Sequence, residues 1–289
     1  MPLSSTKYCR PGSLAELASM AEDGVFLAGG TDLLVQVRNG RKKPQKIVSL
    51  RDIPELRDIQ CEQGMVTVGA MVTHEEVYES PLLREKAPLL AEAAGAVGSP
   101  QIRNRGTIGG NIANASPAAD TVPALMALDA VVEVVGGTGT REVALREFFL
   151  GPGKTVLAQG EVIKGVRFAA LRDNQAGAFI KHGKRNALAI SVVNCGVVIG
   201  IDRETMTFTE ARISLGAVAP TVIRLEAAEQ ILVGQKISRP VIEEAAAAVK
   251  AGVKPITDIR STGEYRKDIS EQLALRAIAA ALAKLGITF

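Results

Sequence analysis

The sequence predicts an α+β protein: two mixed units followed by a smaller C-terminal α/β domain in which helices cover an antiparallel sheet. Three observations carry that reading. Short apolar runs alternate with helical spacing up to about residue 170. Two glycine turns, Ala28-Gly29-Gly30-Thr31-Asp32 and Gly106-Thr107-Ile108-Gly109-Gly110-Asn111, lie among apolar residues and lead into helical spacing. Beyond the polar stretch Arg172-Asp173-Asn174-Gln175, three strand-like runs precede three helical ones. The expected units are 1–55, 56–172 and 177–289.

The first unit reads as βαβ-like. Leu14, Leu17, Ala18 and Ala21 share one helical face, with Ser13 as N-cap. Val25 to Ala28 is a short buried strand ending at Gly29, and a helix then runs from Asp32 to a stop at Asn39-Gly40. Ile47 to Leu50 is the next strand. In the second unit Met65 to Val68 is a strand after the Gln63-Gly64 turn, and Pro88 to Ala96 is an alanine-rich helix. Ser116-Pro117 has the N-cap and N1 pattern and predicts a helix through Val122, Leu125 and Met126. Val131 to Val135 and Thr140 to Val143 flank Gly136-Gly137-Thr138-Gly139 as a hairpin. In the last unit Ala178 to Ile180, Ala189 to Ile201 and Thr207 to Leu215 predict strands. Ala227 to Val233, Pro240 to Ala251 and 271–285 predict helices.

Composition excludes several classes. The net charge is only +3 with no basic block, and aromatics are 3% with no tryptophan, which argues against a nucleic-acid partner. Cys9, Cys61 and Cys195 stand alone, so no disulfide framework, zinc site or iron–sulfur site is encoded. No apolar run reaches membrane-spanning length, and Met1 to Gly12 lacks a signal-peptide core. A reducing cytoplasm is the expected compartment.

Consecutive glycines turn several N–H groups toward one point, a concavity that takes an anion and gains field from a helix start behind it. Read alone, each turn is equally an ordinary strand-to-helix connection. Together they suggest a diphosphate held from two sides, with Thr31, Thr107, Asn111 and Asn114 as hydrogen-bonding side chains. Asp120, expected in the first turn of its helix, either favours the helix dipole or accepts from a ligand hydroxyl. No Gly-x-Gly-x-x-Gly occurs, and Gly151-Pro152-Gly153-Lys154-Thr155 lacks the first glycine of a Walker A loop, where Phe148 stands. His74-Glu75-Glu76 lacks the second histidine of a zinc motif, Tyr78 taking its place. His182, Lys184 and Arg185 read as a solvated edge, while Lys181 differs if its strand alternation points it inward, where it would meet a bound anion or ring carbonyl. With no nucleophile–base constellation, any catalysis falls to a cofactor.

At this point a resemblance enters. Leu27-Ala28-Gly29-Gly30-Thr31-Asp32-Leu33 resembles the first FAD loop of the flavoprotein subunits of molybdenum hydroxylases, the family of xanthine, carbon monoxide and nicotinate dehydrogenases. The run Gly98 to Asn111, continuing through Asp120, resembles their second loop. Phe179-Ile180-Lys181 with Arg185 and Ala189-Ile190 resembles the start of their C-terminal domain. Asp258-Ile259-Arg260 and Glu264-Tyr265-Arg266 match a later family pattern, so the similarity spans nearly the whole chain. Thr31-Asp32 stands where the carbon monoxide branch usually has His-Ser, which favours the xanthine or nicotinate side. The extra cysteine-ligated cluster of the hydroxybenzoyl-CoA reductase subunit has no ligands here.

The resemblance implies a two-subdomain FAD-binding fold of the vanillyl-alcohol-oxidase (PCMH) type with a C-terminal domain of molybdenum-hydroxylase flavoproteins. Residues Leu27 to Leu33, with Thr107, Gly110, Asn111, Ala113 and Asn114, would wrap the FAD diphosphate. Ile102 and Gly106 would touch the flavin, Asp120 its sugar or ribityl region, and Val162 and Ile163 the adenine or ring. Lys181 would lie near the isoalloxazine. Molybdopterin and [2Fe–2S] clusters would belong to a large and a small partner subunit of a heterotrimer, which family habit pairs into a dimer of heterotrimers. Electrons would reach FAD from the clusters and leave FADH2 for an acceptor such as NAD. Two alternatives stay open: a stand-alone flavin oxidoreductase of this fold, and a non-enzymatic nucleotide-binding module.

Overall fold

The computed structural model describes residues 6–20, 23–137 and 139–288. Ala21, Thr138 and the segment before Thr6, which figure in the sequence reading, lie outside the described residues.

The first unit is a parallel three-stranded sheet. Its elements run β1 (Lys7–Cys9), α1 (Leu14–Met20), β2 (Val25–Leu27), α2 (Leu33–Arg38) and β3 (Lys46–Ser49). β3 lies in the middle, with β1 and β2 parallel on either side. The hydroxyl of Ser13 accepts from the Glu16 N–H at 3.2 Å, so α1 starts where the cap predicts. α2 stops at Asn39, followed by Gly40 at φ +73°. β2 was expected to be buried and is only half-buried. It is an edge strand, and Val25 and Phe26 face an open cleft.

The second unit centres on an antiparallel five-stranded sheet. It comprises β4 (Ile59–Glu62), β5 (Met65–Gly69), α3 (His74–Glu79), α4 (Pro81–Lys86), α5 (Pro88–Gly95), α6 (Pro100–Arg103), α7 (Ile108–Asn114) and α8 (Thr121–Ala127). It continues through β6 (Val131–Gly136), β7 (Gly139–Ala144), α9 (Leu145–Phe148), β8 (Phe149–Gly151), β9 (Lys154–Thr155) and β10 (Val162–Ala169). The strand order is β4-β5-β10-β6-β7, and the helices cover one face around Leu89, Leu90, Ile108, Ile112, Leu125 and Phe168.

The helix expected to open at Ser116-Pro117 begins only at Thr121. Ala115 closes α7 in the left-handed conformation, and Ser116 caps a single turn through the Ala118 N–H. The Pro117 carbonyl accepts from the Ala217 N–H at 2.6 Å, so it does not serve as a helical acceptor for residue 121. Asp120 therefore sits at the N-cap rather than in the first turn, and its side chain caps nothing.

The third sheet is antiparallel, β11 (Gln175–Gly183), β12 (Ser191–Asp202), β13 (Thr207–Gly216) and β14 (Ile223–Arg224) in that order. α10 (Glu226–Leu232), α11 (Arg239–Gly252) and α12 (Gly263–Lys284) pack on it over a core that includes Val197, Ile213, Ala246 and Ile278. α12 starts eight residues before its apolar stretch because Thr262 caps it, its hydroxyl accepting from the Tyr265 N–H at 3.2 Å. Among the described residues no helix is long and apolar enough to cross a membrane.

Candidate functional site

The two glycine turns meet. A Cβ on Gly29 would stand 1.8 Å from the Arg105 carbonyl oxygen and 3.0 Å from the Gly106 Cα, so only glycine lets the first turn lie against the second. Gly30 has φ +79°, which bends the chain into α2. On the second turn, Ile108 N–H donates to the Val72 carbonyl at 3.0 Å and Gly109 N–H to the Ala70 carbonyl at 2.9 Å. A Cβ on Gly109 would fall 2.5 Å from that of Ala70. Thr107 caps α7 by accepting from the Gly110 N–H at 3.1 Å. The starts of α2 and α7 therefore both open on one concavity.

That concavity is a cleft of about 330 Å³. Its wall carries Ala28, Gly29, Gly30, Thr31, Asp32 and Leu33 from the first turn. Ile102, Gly106, Thr107, Gly110, Asn111, Ala113 and Asn114 come from the second, and Val162 and Ile163 from β10. Three expected residues lie off the wall. Leu27 is the last residue of β2, its carbonyl accepting from the Leu50 N–H at 3.0 Å. Asp120 and Lys181 are paired with each other, Nζ to Oδ2 at 2.6 Å. Ser191 Oγ at 2.6 Å and Asn194 Nδ2 at 2.9 Å donate to Asp120 Oδ1. Lys181 also donates to the Ala96 carbonyl at 2.9 Å. Its side chain points inward, and the anion it meets is Asp120. The next residue, Val97, is on the cleft wall.

Several wall residues escaped the sequence reading: Val97, His74, Gln36, Lys42, Leu157 and Glu161. In the sequence His74 stands out only as half of a metal motif. Its better signal was Thr73-x-x-Glu76, a capping box that fixes the start of α3 beside the second turn. The residue is 2% exposed, and burial, with the charge of Arg103, lowers its pKa to about 4. Arg103 is in turn paired with Glu75 at 2.6 Å.

The stretch expected as a solvated edge is tied down at three points. His182 Nε2 lies 3.2 Å from the Tyr265 hydroxyl, Lys184 Nζ donates to the Ile259 carbonyl at 2.8 Å, and Arg185 donates to the Leu188 carbonyl at 2.7 Å. The two late motifs meet in one ion pair, Arg266 to Asp258 at 2.8 Å, with Arg266 only 3% exposed.

The fold and cleft define an α+β protein whose two glycine turns form one concave cradle. Residues 4–169 match the FAD binding domain in molybdopterin dehydrogenase, and residues 178–281 match the CO dehydrogenase flavoprotein C-terminal domain. The chain belongs to the FAD-binding subunits of the molybdenum hydroxylases. It is 34% identical over 282 residues to the carbon monoxide dehydrogenase medium chain of Hydrogenophaga pseudoflava, covering 96% of this chain and 97% of that one. It is 31% identical over 284 residues to the xanthine dehydrogenase FAD-binding subunit of Escherichia coli O157:H7, covering 96% and 97%. A chain in the solved structure of carbon monoxide dehydrogenase from Hydrogenophaga pseudoflava superposes with a TM-score of 0.93 at 34% identity, covering 96% and 98%. The expectation of a PCMH-type FAD-binding fold with its C-terminal domain is met, and FAD is the cofactor. Identities of 34% and 31% do not separate the carbon monoxide branch from the xanthine branch, which Thr31-Asp32 favours.

Proposed function

We infer that this chain is the electron-transferring middle subunit of a heterotrimeric molybdenum hydroxylase, with FAD held in the cleft between the two glycine turns. The observation that carries it is the contact of Gly29 with Arg105 and Gly106, which makes one cradle from two loops. Bound there, FAD would supply the redox chemistry of the complex, between [2Fe–2S] clusters of a small partner and an acceptor such as NAD. A large partner would hold molybdopterin and the substrate, and a dimer of such heterotrimers in the cytoplasm is the expected assembly.

The chain's own part is binding and orientation. Backbone N–H groups around Gly29 and Gly30 suit a diphosphate, and Thr31, Asn111 and Asn114 offer side-chain bonds around it. Val162 and Ile163 offer apolar contact at the β10 side of the cleft, and Ile102 and Val97 at another part of the wall. Asp120 and Lys181 stand behind the Val97 part of the wall as a held ion pair. We divide the chain into units 1–55, 56–172 and 177–289, a reading supported by its three-, five- and four-stranded sheets.

The test is purification under native conditions through a tag on this chain, followed by elemental analysis. Molybdenum and iron in stoichiometric amounts beside flavin are expected. Flavin without either metal would replace this reading with that of a self-contained flavoprotein.

A further inference from the structure

His74 is a buried titratable side chain for which the flavin reading has no role. It begins α3, its backbone N–H donates to the Gly106 carbonyl at 2.9 Å, and the residue is one of those lining the cleft. The ring's Cδ2–Nε2 edge turns to Gly106: a Cβ there would stand 3.1 Å from Cδ2 and 3.5 Å from Nε2. The opposite nitrogen, Nδ1, is fully enclosed and has no hydrogen-bond partner.

A neutral imidazole carries one N–H and one lone pair. A buried N–H without an acceptor is among the rarest features of folded proteins, while an unpaired acceptor is less so. The tautomer that fits this site therefore keeps Nδ1 bare and places the proton on Nε2. Burial and the Arg103 guanidinium hold the ring neutral, and Arg103 is itself neutralised by Glu75 rather than by the imidazole. The chain thus sets a single uncharged donor at the wall where the two glycine turns join.

We propose that His74 is a binding residue for the flavin nucleotide, donating its Nε2–H to an acceptor atom of FAD in the cleft. This rests on FAD occupying the cradle of the proposed function. A neutral donor here orients the cofactor without adding a positive charge beside it. Gly106 is then glycine for the room that the imidazole and the Ile102 carbonyl need.

Full-length chain labelled with ¹⁵N-histidine, freed of flavin and then titrated with FAD, gives the test. There are only two histidines, so a His74→Gln variant assigns the signals. Long-range ¹H–¹⁵N spectra are expected to show the Nε2–H tautomer at neutral pH, and FAD is expected to shift that nitrogen and slow exchange of its proton. In parallel, His74→Leu is expected to weaken FAD binding by roughly three- to tenfold, with His74→Gln, which keeps a donor, closer to wild type. If FAD binds and the His74 ring signals stay where they were, or if Nδ1 carries the proton, the assignment is overturned. A chain that takes up no FAD would overturn the flavin reading itself, and this inference with it.

Discussion

The carbonyl oxygen of Arg105 fills the place where a side chain on Gly29 would sit. A Cβ at residue 29 would be 1.8 Å from it, well inside van der Waals contact. The obstacle is backbone, so no rotamer change relieves it. Gly29→Ala must push the two turns apart, at a cost of about 1–3 kcal/mol by analogy with overpacked cores. The cradle between the turns opens with them. The expected outcome is a folded but less stable chain that elutes without flavin, read from the visible spectrum and a thermal melt. Gly40→Ala, where nothing lies within 4 Å but φ is +73°, separates the two effects, since it should lose stability and keep flavin.

The Asp120–Lys181 pair ties the N-cap of α8 to strand β11. Both side chains are largely buried, 9% and 14% exposed, and Asp120 has three protein donors. Asp120→Ala leaves a lysine cation without its partner in a dry site, which costs on the order of 3–5 kcal/mol. We expect a large drop in the urea midpoint and loss of FAD. Adding Lys181→Met should recover part of the stability, because it removes the stranded charge. If the double variant is no more stable than the single one, the pair is not the source of the loss.

Much of this architecture was legible because it rests on local chemistry. Gly29-Gly30 and Gly109-Gly110 announce turns, and the apolar run of β12 announces a strand buried on both faces. What escaped is long-range. Pro117 reads as a helix start until Ala217, far along the chain, takes its carbonyl. Asp120 reads as a dipole residue until β11 and β12 bring Lys181, Ser191 and Asn194 to it. The first two turns of α12 were hidden because a buried arginine, Arg266, replaces the apolar periodicity there. His74 was hidden because no sequence pattern marks a histidine as buried.

Acid should act on stability through His74. Its pKa falls from 6.5 to about 4 on folding, so between those values the unfolded chain binds the extra proton and the folded chain does not. The associated stability is complete above about pH 6.5 and is lost as pH falls toward 4, amounting to about 3 kcal/mol at most. Urea unfolding of the flavin-free chain at pH 7 and pH 4.5 is expected to show that loss in wild type and a smaller one in His74→Gln. Asp258 works in a lower window. Burial would raise its pKa, but the Arg260 N–H and the Arg260 and Arg266 guanidinium groups hold it at about 2. Its contribution is present above about pH 4 and goes as pH falls through 2, so it does not blur the comparison.

Thiol chemistry gives an independent check on the packing of the third sheet. Cys195 lies mid-strand in β12, fully buried between Val193 and Val197, and burial raises its pKa strongly. A thiol that is both enclosed and protonated does not react, because the thiolate is the nucleophile. Cys9 and Cys61 are partly exposed. An aromatic disulfide reagent at pH 8 should therefore modify Cys9 and Cys61 in the native chain and reach Cys195 only after urea is added. Alkylation followed by peptide mass analysis identifies which thiols react. Rapid native labelling of Cys195 would mean that the sheet opens locally, and the latch from β12 to Asp120, one residue away at Asn194, would have to open with it.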